Sequence, residues 1–173
     1  MCFCGALTAI STAPGEAGIG IVRTSGPASL DIMKRLMAKF PSEVKPRHAY
    51  LSRVVYDSAD KGSDVIDQAI FIYMKAPNTY TGEDVLEIQA HGSNVALRCI
   101  LRAVLSSGAE NVRMAEPGEF TKLAFLNGKM DLSQAEAVID IIKAKTDLSL
   151  GIAESQREGR LSRAVREIGR AHV

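Results

Sequence analysis

The chain opens with two short apolar runs, residues 5–11 (GALTAIS) and 18–24 (GIGIVRT), separated by the breaker segment TAPGEA. This pattern predicts a strand, a loop and a second strand. Ser25-Gly26-Pro27 stops the second strand, and Pro27 suits the first turn of a helix, where its missing N–H costs nothing. Leu30, Met33, Met37 and Phe40 recur near helical spacing, which predicts a helix running to Pro41. Residues 49–56 and 65–75 read as a strand pair around the turn-rich DSADKGSD, the second run being rich in β-branched and aromatic residues. Residues 76–82 (APNTYTG) have the composition of an exposed loop. Alternation returns from Val85 to Gln89, and His91-Gly92-Ser93 punctuates before a helix carrying Val95, Leu97, Ile100, Leu101, Val104 and Leu105. A brief strand follows at residues 111–114.

Pro117 is expected to open a further helix that Asn127-Gly128 closes. Ser133-Gln134-Ala135-Glu136 reads as a capping box at the start of a longer helix. In that helix Ala135, Val138, Ile139 and Ile142 form an apolar stripe, and the pattern weakens after Thr146. Strand pairs mixed with helices predict an α/β or α+β domain over residues 1–125 and a helical extension over 126–173. The stripe of the extension has no later sequence to bury it, so a second chain or further residues are expected to cover it.

Composition narrows the partners. A chain of 173 residues, 46% hydrophobic and 24% charged, buries one ordinary core with a short appendage left over. Twenty-one basic and twenty acidic residues leave a net charge of +1, so no global field draws in nucleic acid or an anionic membrane. Arg157, Arg160, Arg163, Arg166 and Arg170 cluster near the end; a solvated helix face and a local RNA contact both remain open, the first favoured. Cys2, Cys4 and Cys99 are odd in number and residues 1–10 lack a signal-peptide pattern, which predicts a cytoplasmic, reduced protein. Cys2-x-Cys4 lacks the second ligand pair of a zinc site, and no apolar window approaches the roughly 20 residues that cross a bilayer.

Gly15–Gly20 (GEAGIG) carries no following lysine and lies between strands, so neither a phosphate cradle nor a dinucleotide fingerprint is expected there. His48, His91 and His172 have no nucleophile arrangement around them, and no self-contained hydrolase is expected. In residues 81–92 alternation sets Val85, Glu87, Gln89 and His91 on one face and Leu86, Ile88 and Ala90 on the other. A carboxylate at Glu87, in mid-strand between apolar neighbours, is costly to desolvate without donors. An internal ion pair, an open sheet face and a ligand contact all fit it. Glu83 and Asp84 read as solvated, capping or turn groups. Arg23, ending an apolar strand, is either a rim arginine or a planar fork for a carboxylate or carbonyl. Lys129, at a junction between two helices, is either solvated or a ligand contact.

Taken together, ISTAPGEAGIGIVRTSGP, NTYTGEDVLEIQAHGS and EPGEFTKLAFLNGKMDLSQAEAVIDII resemble the N-terminal region of the tRNA modification GTPase family MnmE, also called TrmE, in order and over nearly the whole chain. The resemblance implies an α+β domain with a mixed sheet, related to the folate-binding domain of the glycine cleavage T-protein. It implies binding of 5-formyltetrahydrofolate or a related tetrahydrofolate, pairing in a homodimer, and the start of a helical domain. The family's folate contacts fall on Arg23, Glu87 and Lys129. It further implies that the complete protein, with the FAD-dependent partner MnmG, modifies the wobble uridine of certain tRNAs. The GTP, Mg²⁺ and K⁺ sites belong to a Ras-like domain for which this chain has no motif, so no catalysis by the chain alone is expected. Two departures stand out: Cys4-Gly5-Ala6-Leu7 replaces the family's acidic start, and His91-Gly92-Ser93 replaces HGG. A freestanding one-carbon transferase, for which Asp84 or His91 would supply acid–base chemistry, and a purely structural dimerisation domain are the alternatives.

Overall fold

The computed structural model describes residues 5–58 and 62–159, and Cys2, Cys4 and four of the five clustered arginines lie outside them. The chain divides into two compact units, Met1–Pro117 and Gly118–Val173. The first holds β1 (Ala6–Ile10), β2 (Ala17–Ser25), α1 (Ser29–Leu36), β3 (Ala49–Ser58), β4 (Gly62–Met74), β5 (Val85–Gly92), α2 (Asn94–Leu105) and β6 (Val112–Met114). Its strands form one sheet in the order β3-β4-β5-β2-β1-β6. Every pairing is antiparallel except that of β1 with β6, so the sheet is mixed and the fold is the expected α+β.

Alternation along the strands puts Val22, Phe71, Tyr73, Leu86 and Ile88 on one face, where they are buried with Ile32, Met33 and Leu36 of α1 and Leu97, Ile100 and Val104 of α2. Each large side chain buried this way contributes about 1.5–3 kcal/mol. Gly20 belongs to the same face: a Cβ there would lie 2.4 Å from the Leu97 side chain, so the glycine makes room for α2. The helix predicted to reach Pro41 stops at Leu36. Met37 turns extended, bridges Val54, and the Ala38 N–H bonds the Arg53 carbonyl at 3.1 Å. Pairing with the sheet edge thus overrides helical spacing. The loop read as exposed is partly buried, since Thr79 and Thr81 point their hydroxyls into hydrogen bonds with Glu83 and Ser25.

The second unit holds α3 (Glu119–Leu126), α4 (Leu132–Lys143) and α5 (Asp147–Arg157). Three expectations need correction. Pro117 does not open α3; Gly118, in the left-handed region, is its N-cap. The capping box belongs to Asp131 and Gln134, not to Ser133 and Glu136: the Gln134 N–H donates to Asp131 Oδ1 at 2.9 Å, and the Asp131 N–H to Gln134 Oε1 at 2.9 Å. Aspartate is at least as good a cap as serine, and Ser133 Oγ instead donates to the same carboxylate. Last, the long helix breaks at Ala144, and α5 restarts under its own box from Thr146 and Ser149. Antiparallel return lets the small Ala137 of α4 and Ala153 of α5 be buried, whereas Ile139 and Ile142 of the expected stripe are exposed.

Candidate functional site

β2 and β5 are adjacent, and their register sets Arg23 directly opposite Glu87. Arg23 Nε donates to Glu87 Oε1 at 2.9 Å, and Nη2 lies 2.8 Å from the same oxygen. Side-chain exposures of 30% and 16% make the pair half-buried. Ile72 of β4 lies opposite Glu87 on its other side, and Ile21 and Ile70 flank Gln89. The cost of a carboxylate in mid-strand is therefore met by an ion pair among apolar neighbours. Among the described residues Glu87 Oε2 receives only a long bond of 3.5 Å from Gln89 Nε2, so it keeps lone-pair capacity for a further donor.

At the end of the sheet the residues after β4 fold back over β2. The fully buried Ser25 Oγ donates to Glu83 Oε2 at 3.0 Å and lies 2.7 Å from Thr81 Oγ1. Asp84, read as a solvated, capping or turn group, is half-buried and takes the capping role. Its Oδ2 accepts from the Tyr73 hydroxyl at 2.7 Å, its Oδ1 from the Ala76 N–H at 2.8 Å, and its carbonyl from the Gly26 N–H at 2.8 Å. Burial, then the bond to Asp84 and its charge, push the Tyr73 phenol well above its ordinary range. His91 also has a partner that the sequence did not disclose. Its Nδ1 lies 2.8 Å and 3.0 Å from the two oxygens of Asp67, and its N–H donates to Asp67 Oδ2 at 3.0 Å. Burial raises the Asp67 carboxyl, but the bonds from His91 and the Gln68 N–H outweigh it and leave the group below its usual range.

Lys129 belongs to the second unit. Gly128 takes φ +67°, its N–H bonds the Phe125 carbonyl, and the Lys129 N–H reaches back to the Ala124 carbonyl at 2.8 Å. These are the two bonds of a Schellman closure, which fixes the backbone from which the exposed lysine side chain starts. The structure therefore brings Arg23 and Glu87 into contact and sets Lys129 at the end of α3. Sequence reasoning missed Asp67 and the Ser25–Glu83 bond; neither carries a local signal, because each depends on which strands become neighbours. Among the described residues no group of three His, Cys, Asp or Glu is placed to hold a metal ion. No helix in the same residues is long and apolar enough to cross a membrane.

The chain has clear relatives in sequence. The chain belongs to the family described as GTP-binding protein TrmE N-terminus, whose model matches residues 6–129 and so includes Arg23, Glu87 and Lys129. It is similar to the tRNA modification GTPase MnmE of Clostridioides difficile, 48% identical over 94% of the chain and 34% of the relative. It is also similar to the MnmE proteins of Geobacter sulfurreducens, 49% identical over 90% of the chain and 33% of the relative, and of Aquifex aeolicus, 48% over 94% and 34%. The chain thus spans about a third of the length of these curated relatives.

Proposed function

We propose that this chain is the N-terminal module of a GTPase that modifies the wobble uridine of tRNA, and that it binds a tetrahydrofolate one-carbon donor and pairs with a second copy. The observation that carries the ligand reading is the Arg23–Glu87 pair, held across two strands on a partly apolar face with one carboxylate oxygen only weakly engaged. A carboxylate accepts N–H bonds from the aminopyrimidinone edge of a pterin, and the guanidinium offers a planar fork to its carbonyl. Lys129 supplies a point charge for the ligand's carbonyl or carboxylate oxygens. The relatives' names carry the tRNA reading. The FAD-dependent partner MnmG, GTP with Mg²⁺ and K⁺, and a cytoplasmic setting belong to the same proposal for the whole protein.

Isothermal titration of 5-formyltetrahydrofolate into the wild-type chain and Glu87→Ala tests the ligand reading. Binding should be largely lost in the variant, and unchanged affinity refutes the assignment. Sedimentation with and without the ligand tests pairing. A second reading, a freestanding one-carbon transferase, is favoured by one observation: His91 has in Asp67 the orienting carboxylate that a general base needs. Turnover with folate and glycine, in the absence of partner proteins, supports that reading; no turnover removes it.

A further inference from the structure

The Arg23–Glu87 pair has a second carboxylate beside it. Arg23 and Ser25 alternate onto the same face of β2, Glu87 and Val85 onto the facing positions of β5, and the register pairs Ser25 with Val85 and Arg23 with Glu87. Two residues along a strand span about 7 Å. Ser25, fully buried, holds Glu83 by its carboxylate, and Glu83 is fixed by its backbone as well. Thr79 Oγ1 donates to its carbonyl at 2.6 Å and its N–H donates to Thr81 Oγ1 at 3.3 Å. Three hydroxyls thus set one half-exposed glutamate. Among the described residues no cation pairs with Glu83, and its Oε1 accepts no hydrogen bond there. The carboxylate is oriented, ionisable and open on one oxygen, one residue pair from the proposed ligand contacts.

We propose that Glu83 selects a reduced pterin ring over an oxidised one at the Arg23–Glu87 site. The inference rests on the folate reading above and extends it to the oxidation state of the ligand. A tetrahydropterin carries an N–H at N8, on the edge of the ring system away from the carbonyl. The fully oxidised ring carries a lone pair at the same atom. A carboxylate accepts the first and repels the second, because an ionised carboxylate is an acceptor only. Glu87 takes one N–H edge of the ring with Oε2, and Glu83 takes the N8–H with Oε1. A glutamine at 83 can present an N–H to the lone pair or a carbonyl to the N–H, so it removes the discrimination while keeping the shape.

The test titrates 5-formyltetrahydrofolate and folic acid into the wild-type chain, Glu83→Gln and Glu87→Ala, with thermal melting of each variant by circular dichroism. The wild type should prefer the reduced ligand, and Glu83→Gln should narrow that preference by about tenfold or more, the scale of one charge-assisted hydrogen bond. If Glu83→Gln fails to melt cooperatively, Ser25→Ala, which keeps the carboxylate but releases it, should narrow the preference in the same direction. A wild-type ratio retained in the folded variant overturns the role of Glu83, and so does a wild type that binds both ligands equally. In either case Glu87→Ala still reports on the folate site by itself. A wild type that binds neither ligand overturns both readings.

Discussion

The Arg23–Glu87 pair makes a quantitative statement about the sheet. Glu87 is the less exposed partner at 16%, against 30% for Arg23, so removing the arginine strands the more buried charge. Exposed ion pairs contribute about 0–1 kcal/mol, and removing one partner of a fully buried pair costs about 3–5 kcal/mol. This half-buried pair falls between them. Arg23→Ala should cost about 2–3 kcal/mol and Glu87→Ala about 1–2 kcal/mol, since the freed guanidinium can swing into water. The double variant should cost about as much as Arg23→Ala alone, which gives a coupling energy of about 1–2 kcal/mol. Urea denaturation of the four proteins, followed by circular dichroism at constant m-value, measures each quantity. Losses that add to within about 0.5 kcal/mol, or Glu87→Ala costing more than Arg23→Ala, would refute the reasoning.

Three other expectations follow from the geometry. Gly26 takes φ +135°, and a Cβ there would lie 2.3 Å from the Gly5 carbonyl oxygen, so Gly26→Ala should cost about 2 kcal/mol or more in the same denaturation assay. Asp67 titrates below its unfolded value of 3.8, so its contribution is present above that pH and is lost as pH falls through the folded value. Asp67→Asn should therefore be less stable than wild type by about 1 kcal/mol at neutral pH, with the difference vanishing in stability curves measured in the acid range below the carboxylate value. Asp131→Ala removes the cap of α4 and should lower the stability of the helical unit by about 1 kcal/mol, read as helicity lost earlier in urea.

The first unit was largely legible because its signals are local. Apolar or β-branched runs bounded by turn residues mark its strands, alternation marks β5, and α2 matches its apolar spacing, since each depends on residues within one or two turns of each other. The second unit was less legible. Asp131 and Ser133 are both good caps, and only the folded structure shows that the Asp131 carboxylate, not the Ser133 hydroxyl, caps α4 by accepting from the Gln134 N–H. The break at Ala144 likewise depends on α5 packing back on α4.

For the candidate site the division is the same. The sequence by itself marked Arg23 and Glu87 as costly charges in apolar strands and Lys129 as a cation after a helix stop. It left open whether each had a partner. Only the tertiary structure paired Arg23 with Glu87 across 64 residues, gave His91 to Asp67 and Tyr73 to Asp84, and buried Ser25 against Glu83. Periodicity records which way a side chain points, because backbone geometry repeats every few residues. Which side chain it meets depends on strand order and register, and those are set by burying one sheet face beneath two helices.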